Sequence, residues 1–354
     1  MELFMVFLNY MNAFRALTIF LIVAVHTTLV FSWDNNLSQQ KILKIVFGNT
    51  TTLFIFISGY LFQHLLIKFD TKRYYFSKFK YVLLPYFIIS LPVVLYYVLI
   101  SSKPIVSPVV LSYPLWLQFL NYYWRGIHLY PMWFMPVIAI FYLVAPLLKW
   151  GDEKNYIYWL LPAFVLMSFY IGRSPVFPHI NFLHFLSVYV LGMFFCKYKQ
   201  VINPIITNDN VLATVILIFL SLCAVEFYTA FPTFTSINYV QKIFLIFALL
   251  GLMIRFEHFT KHKLISVVAN TSFGVYFVHT FVLYAIKFVS SYANTYFSIN
   301  SNAKYYPGNF SLHFLVTCMA LILSIIVVLI IKKVLGEKAY ILVGNIPANK
   351  STSK

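Results

Sequence analysis

Acidic side chains are scarce in this chain: nine Asp and Glu among 354 residues, against 26 Lys and Arg. Charged residues of both signs make up only 10%, where soluble domains carry about 25%. That shortage excludes an ordinary soluble fold. Long hydrophilic stretches are missing as well. None exceeds about 30 residues, which leaves no room for an appended soluble domain. Cysteine is rare: Cys196, Cys223 and Cys318 lie far apart, in or beside apolar runs. They read as packing residues and say little about redox compartment or metal. No P-loop, Rossmann glycine pattern, nucleophile elbow or zinc spacing occurs, so no cofactor-bearing fold and no metal site is indicated. The absence of an internal repeat weakens an inverted-repeat transporter. The N-terminus carries Glu2, no basic n-region and no small-residue cleavage site, so its first apolar run is expected to be a retained helix.

What the chain has in quantity is apolar sequence: 61% hydrophobic and 20% aromatic residues, with mean hydropathy +0.83. A membrane span needs about 20 mostly apolar residues. Runs at 12–33, 44–66, 80–100, 132–150, 156–172, 181–198, 211–230, 238–256, 264–288 and 311–333 meet that need. The pattern predicts an all-α polytopic membrane protein of about ten transmembrane helices. It would form a single domain over 1–354, with a helical core at 12–333 and a cytoplasmic tail at 334–354. The formal charge of +17 invites a nucleic-acid reading, but the basic residues are spread among short loops. With the N-terminus inside, 18 Lys and Arg fall on the inner side and eight on the outer, Lys242 and Arg173 among the latter. That is the positive-inside bias of a multi-pass protein with both termini cytoplasmic in the cell membrane, and nucleic acid is not expected as a partner.

Three extramembrane stretches stand out. Lys68–Lys80 interleaves basic and aromatic residues on the inner side. Ser101–Pro131 is rich in Pro, Trp and Tyr and is expected at the outer interface. Ser290–Phe310 carries Tyr, Asn and Ser, with Pro307 and Gly308 marking a turn. Aromatic, hydroxyl-rich outer surface suits sugar stacking and membrane anchoring alike.

Arg15 and His26 lie eleven residues apart in the first apolar run. At about 100° per residue this is three turns plus about 20°, so both project from one helix face, roughly 16 Å apart along the axis. Ionisable groups at such depth cost about 2.5–3.5 kcal/mol on insertion scales, which makes function the first hypothesis for a histidine near the middle of that run. His279, Glu226 and the Ser58–Gly59 pair fall at comparable depth in their own runs. Two imidazoles, a carboxylate and a hydroxyl would suit general-base chemistry inside a bilayer. Each has a plainer reading. An intramembrane His also serves as a neutral packing residue, Glu226 as an interfacial group, and Arg15 as a snorkelling anchor. Ser58 and Gly59 also let two helices pack closely. Lys72, Arg73, Lys78 and Lys80 could clamp the phosphates of an anionic donor, or only hold their loop inside against anionic lipid.

The arrangement Arg15–(ten residues)–His26 resembles the first-helix signature of the acyltransferase family 3 proteins, integral-membrane O-acyltransferases of bacterial surface and exported sugars. FIFISGYLF (54–62), KRYYFSKFKYVLLPY (72–86), Trp133–Phe134 followed by YLVAPLL (142–148), and SFGVYFVHTFVL (272–283) are similar to later family segments, in family order. The resemblance covers essentially the whole chain. It implies about ten helices and acyl transfer from acyl-CoA, acetyl-CoA first, to a sugar hydroxyl, with no tightly bound cofactor. His26 would be the catalytic histidine, Arg15 its partner, and Arg73 with its basic neighbours a holder of the CoA phosphates. Ser58, Gly59, Trp133, Glu226 and His279 are candidate lining residues. Where family members often carry a second arginine, this chain offers Lys78 or Lys80, and a stand-alone member without the soluble esterase-like domain of some relatives is expected. Expected partners are an exported or surface polysaccharide, the bilayer and polysaccharide synthesis machinery. Two rival readings remain at this point: a glycan exporter or flippase using His26 and Glu226 for proton coupling, and a non-catalytic scaffold.

Overall fold

The computed structural model describes residues 8–101, 105–229, 236–297 and 305–344. Its regular elements are helices, joined outside them by one isolated bridge between Ser32 and Pro307. Apolar runs become helices because a backbone surrounded by lipid must satisfy its own N–H and C=O groups. Polar residues then set the ends.

α1 (Asn9–Thr27) continues into a 3-10 turn at Thr28–Val30. α2 (Leu37–Phe47) meets α3 (Thr51–Leu65) at a corner where Asn49 takes φ 60°. α4 (Thr71–Lys78) starts at Asp70, whose side chain accepts from the Arg73 N–H, and runs through a π-turn at Phe79–Leu83 into α5 (Leu84–Leu95). α6 (Leu115–Arg125) precedes α7 (Phe134–Leu143) and α8 (Ala145–Glu153). There follow α9 (Leu161–Tyr170), α10 (Pro178–Lys197), α11 (Asp209–Tyr228), α12 (Ser236–Arg255), α13 (Lys263–Tyr296) and α14 (Phe310–Leu335). Asn208 and Asn309 cap α11 and α14.

Among the described residues eight helices are long and apolar enough to cross a bilayer, nine if the α7–α8 pair, bent by 51°, is one span. The bend falls beside Pro146, which lacks an N–H and crowds the carbonyl four residues back. The expected span 156–172 is not one span-length helix. It forms Tyr156–Trp159 and the ten-residue α9, about 15 Å long. Its ends still meet opposite ends of α3: the Tyr158 hydroxyl donates to Gln63 Oε1 (3.3 Å), and Arg173, just beyond α9, donates to Asn49 Oδ1 (3.2 Å). Residues 336–343 form two short turns packed on the bundle, with Ala339 and Val343 buried and Tyr340 edge-on to Tyr81. Positions 345–354 lie outside the described residues. Lys242 is a further correction, because it is no loop cation. It is buried in α12 and donates to the carbonyls of Ile45 (2.8 Å) and Val46 (2.9 Å), the open C-terminal end of α2.

α1 runs through the interior, with Phe14, Ile19 and Val23 fully buried, and packs along α13 on one side and α3 on another. Outward faces are apolar, as on Leu217, Ile322 and Ile330. The closest pairing joins α3 to α10. A Cβ on Gly59 would collide with the Tyr189 carbonyl, and one on Gly192 with that of Phe56. Two glycines therefore let the backbones touch, the small-residue packing of membrane helices. Gly59→Val should destabilise the fold by about 1–3 kcal/mol or more. The expected result is a lower melting temperature in detergent and less monodisperse protein on size exclusion. Ser58→Ala, whose hydroxyl bonds only the Phe54 carbonyl among the described residues, should leave both near wild type.

Candidate active site

His26 occupies the last turn of α1, nearer the helix end than the middle of the run. The helix holds its shape there because Thr27 and Thr28 return their hydroxyls to the Val23 and Val25 carbonyls. On one side the His26 ring stacks on His279 of α13, with centroids 5.3 Å apart and planes 26° apart. On another it meets Tyr130 edge to face at 5.0 Å. His279 Nδ1 lies 2.9 Å from the Val275 carbonyl. A carbonyl only accepts, so Nδ1 carries the proton and Nε2 keeps its lone pair. His279 Nε2 and His26 Nδ1 are buried without a hydrogen-bond partner among the described residues. The same holds for His128 Nε2 and His184 Nε2, so what sets the His26–His279 pair apart is the stacking of two imidazoles beside a cavity.

His26 opens onto a cavity of about 220 Å³, smaller than the roughly 300–1,000 Å³ of drug-sized ligand pockets. One wall is aromatic: Tyr130, Trp133 and Tyr276. Tyr276 is held by donating its hydroxyl to the Pro131 carbonyl. Another part of the lining is the α2–α3 corner, with Asn49, Thr50 and Thr51. Its position depends on Lys242 closing the end of α2. Lys44 and Arg173 complete the lining. The Arg173 guanidinium lies 3.9 Å above the Trp133 ring and donates to Asn49. Burial pushes Arg173 down to about 10, which leaves it charged at neutral pH.

Arg15 points to the same neighbour as His26. Its Nη2 donates to Ser272 Oγ (3.2 Å), seven residues before His279 on α13. The common stripe expected from the eleven-residue spacing is therefore present. The axial separation, roughly 16 Å, is too long for a hydrogen bond between the two. They mark two levels of one interface, not a dyad.

The four basic residues of 72–80 divide into two pairs. Lys72 and Arg73 are exposed on α4. Lys78 lies over the rings of Tyr74 (5.3 Å) and Tyr142 (5.0 Å), and Lys80 over Tyr340 (4.5 Å) and Tyr81 (5.4 Å). α4 belongs to the end of the bundle where α1 begins, because the Tyr10 and Tyr60 hydroxyls bond at 2.7 Å. Trp133 lines the cavity and His279 backs its histidine. Gly59 is spent on the contact with α10, and Ser58 is bonded to its own helix. Glu226 does not line this cavity. It is 1% exposed and accepts from Asn238 and Gln241 at 3.1–3.3 Å, tying α11 to α12. Of the four groups expected at comparable depth, the two imidazoles are the ones that meet. Among the described residues no three His, Cys, Asp or Glu side chains group as metal ligands.

Asn49, Tyr130 and Arg173 carry no local sequence signal for this site. Tyr276 does: it stands three residues before His279, hence on the same helix face. A family model described as an acyltransferase domain matches residues 8–332. No curated protein and no solved structure gives a match. With an all-helical membrane bundle around a cavity-lining histidine and a family match over nearly its whole length, the chain belongs to acyltransferase family 3 and is a multi-pass membrane acyltransferase.

Proposed function

We propose that this acyltransferase moves an acyl group, acetyl first, from acyl-CoA to a hydroxyl of a surface or exported glycan, as one membrane domain in the cell membrane. The observation that carries the reading is the His26 imidazole, stacked on a second imidazole and opening to a cavity. The Lys and Arg bias supports termini in the cytoplasm. It stays above two to one after the buried Lys242 is removed from the outer count and Arg15 from the inner one. On that orientation the His26 cavity faces outward, and α4, with Lys72 and Arg73, faces the cytoplasm.

Acyl-CoA then docks from the cytoplasm. Arg73 offers a planar fork and Lys72 a point charge to its phosphates. The thioester enters along the α1–α13 interface, past Arg15. Neutral His26 takes the proton of the sugar hydroxyl as its oxygen attacks the thioester carbonyl. The carbon–sulfur bond breaks, and the CoA thiolate leaves with that proton, returned by the imidazolium. Arg15 meets the donor on its path and steers it, too far from His26 to share the proton. The His279 ring keeps the His26 plane fixed.

Protein purified in detergent, given labelled acetyl-CoA and a sugar acceptor, should release CoA only when acceptor is present. His26→Ala should lower kcat by about 10²–10⁴ at unchanged melting temperature. An unchanged rate would overturn the assignment. Arg73→Ala should raise KM for acyl-CoA about tenfold, near 1.4 kcal/mol, with kcat little altered. Arg73→Lys should recover only part of the loss, because the bidentate geometry is gone. Equal KM values across the three proteins would place the donor elsewhere.

A further inference from the structure

Among the described residues four histidines are buried in the bundle, and each is tied to backbone. His128 bonds through Nδ1 to the Tyr122 carbonyl, and His184 through Nδ1 to those of Ser168 and Ile171. His279 bonds through Nδ1 to Val275, and His313 through Nε2 to Ala24. A carbonyl only accepts, so each ring is committed as an N–H donor. The half-buried His26 makes no such bond among the described residues. The last four carbonyls of a helix have no partner within it, and histidine is one of the side chains that can supply one. Tyr122, Ser168 and Ala24 fall in the last turns of α6, α9 and α1. His128, His184 and His313 are thus helix-end caps, and His313 alone of the three caps the helix that carries His26.

That placement matters because His26 also lies in the last turn of α1, where helices fray. A displacement of about 1 Å can cost a reaction about 10²-fold. His313 comes from α14, and its Nε2–H donates to the Ala24 carbonyl at 2.9 Å, two residues before His26. Phe47 of α2 stacks on its ring, with centroids 5.9 Å and planes 15° apart, and Trp33 stands at 6.2 Å. Trp33 adds a second hold on the same end. Its indole N–H donates to the Thr28 carbonyl at 2.8 Å, two residues after His26. The chain leading into α14 is fastened to the segment that leaves α1. The Ser32 N–H donates to the Tyr306 carbonyl (3.0 Å), and the Gly308 N–H donates to the Ser32 carbonyl (2.7 Å). The end of α1 and the start of α14 therefore move as one unit.

We infer that His313 is a positioning residue for the catalytic base. Its bond to the Ala24 carbonyl sets the height and rotation of the last turn of α1, and so the place of the His26 ring in the cavity. It touches no reacting atom. This rests on the acyltransferase reading above. A glutamine amide can supply the same N–H, whereas a leucine of similar bulk cannot.

The test uses the full-length protein in lipid nanodiscs, with labelled acetyl-CoA and a glycan extract of the cell envelope as acceptor. His313→Leu should lower kcat about 10- to 100-fold while KM for acetyl-CoA stays within about twofold. His313→Gln should recover most of the loss, and Trp33→Phe, which removes the second hold, should lower kcat as well. A wild-type kcat in His313→Leu, or an equal loss in the Leu and Gln variants, overturns the inference. Hydrogen exchange at the amides of Thr27, Thr28 and Leu29 reads the clamp without turnover. Faster exchange in His313→Leu than in wild type, restored in His313→Gln, supports it; equal exchange in all three counts against it. If the wild-type protein transfers no acyl group, the acyltransferase reading falls, and the exchange rates alone decide the clamp.

Discussion

The contact between α1 and α13 is the constraint on which the site depends. It fixes two cationic or basic groups of one helix against two polar groups of the other: Arg15 to Ser272 and His26 to His279. Neither pair contains an acid, so the interface is held by packing, ring stacking and a hydrogen bond from the guanidinium to a hydroxyl, and not by ion pairing. That suits the proposed passage of the donor along this surface. A buried ion pair would have to be broken at each passage, at a cost of several kcal/mol.

Much of this was legible in the primary structure because helical phase is a local property. Eleven residues between Arg15 and His26 suffice to place them on one stripe, and apolar run length suffices to find most spans. Lateral convergence is a different matter. His279 and Glu226 look alike in sequence, each an ionisable residue deep in an apolar run. Only packing shows that one faces His26 while the other is consumed by Asn238 and Gln241. Lys242 misleads for the same reason. Its charge near a run end mimics a loop residue, whereas its ammonium sits on the carbonyls that close α2. Arg173 reads as one more loop cation. Its role at the cavity depends on Asn49 and Trp133, which lie 124 and 40 positions away.

The polar residues of the bundle fall into separate groups with separate tasks. Asp152 and Lys197 bond at 2.8 Å and, with Tyr158, pin the start of the short passage through α9. Ser168, Ser187 and Tyr239 form a hydroxyl chain across α9, α10 and α12, with steps of 2.6 and 2.8 Å. These groups satisfy themselves internally, as a low-dielectric surround requires. Buried polar atoms without a partner among the described residues occur beside His26, at Thr50 and His279, and also elsewhere, as at Ser90, His128 and His184; the cavity differs in that Lys44 and Arg173 line it as well.

The glycine contact between α3 and α10 has a mechanical consequence. Where backbone meets backbone, no rotamer change can relieve a displacement, so the two helices travel as one plank. A lateral opening along that seam is closed to any substrate. Any motion that admits a substrate must be borne on the other flank, and the 51° elbow beside Pro146, whose hydrogen-bond ladder is already interrupted, is the natural pivot.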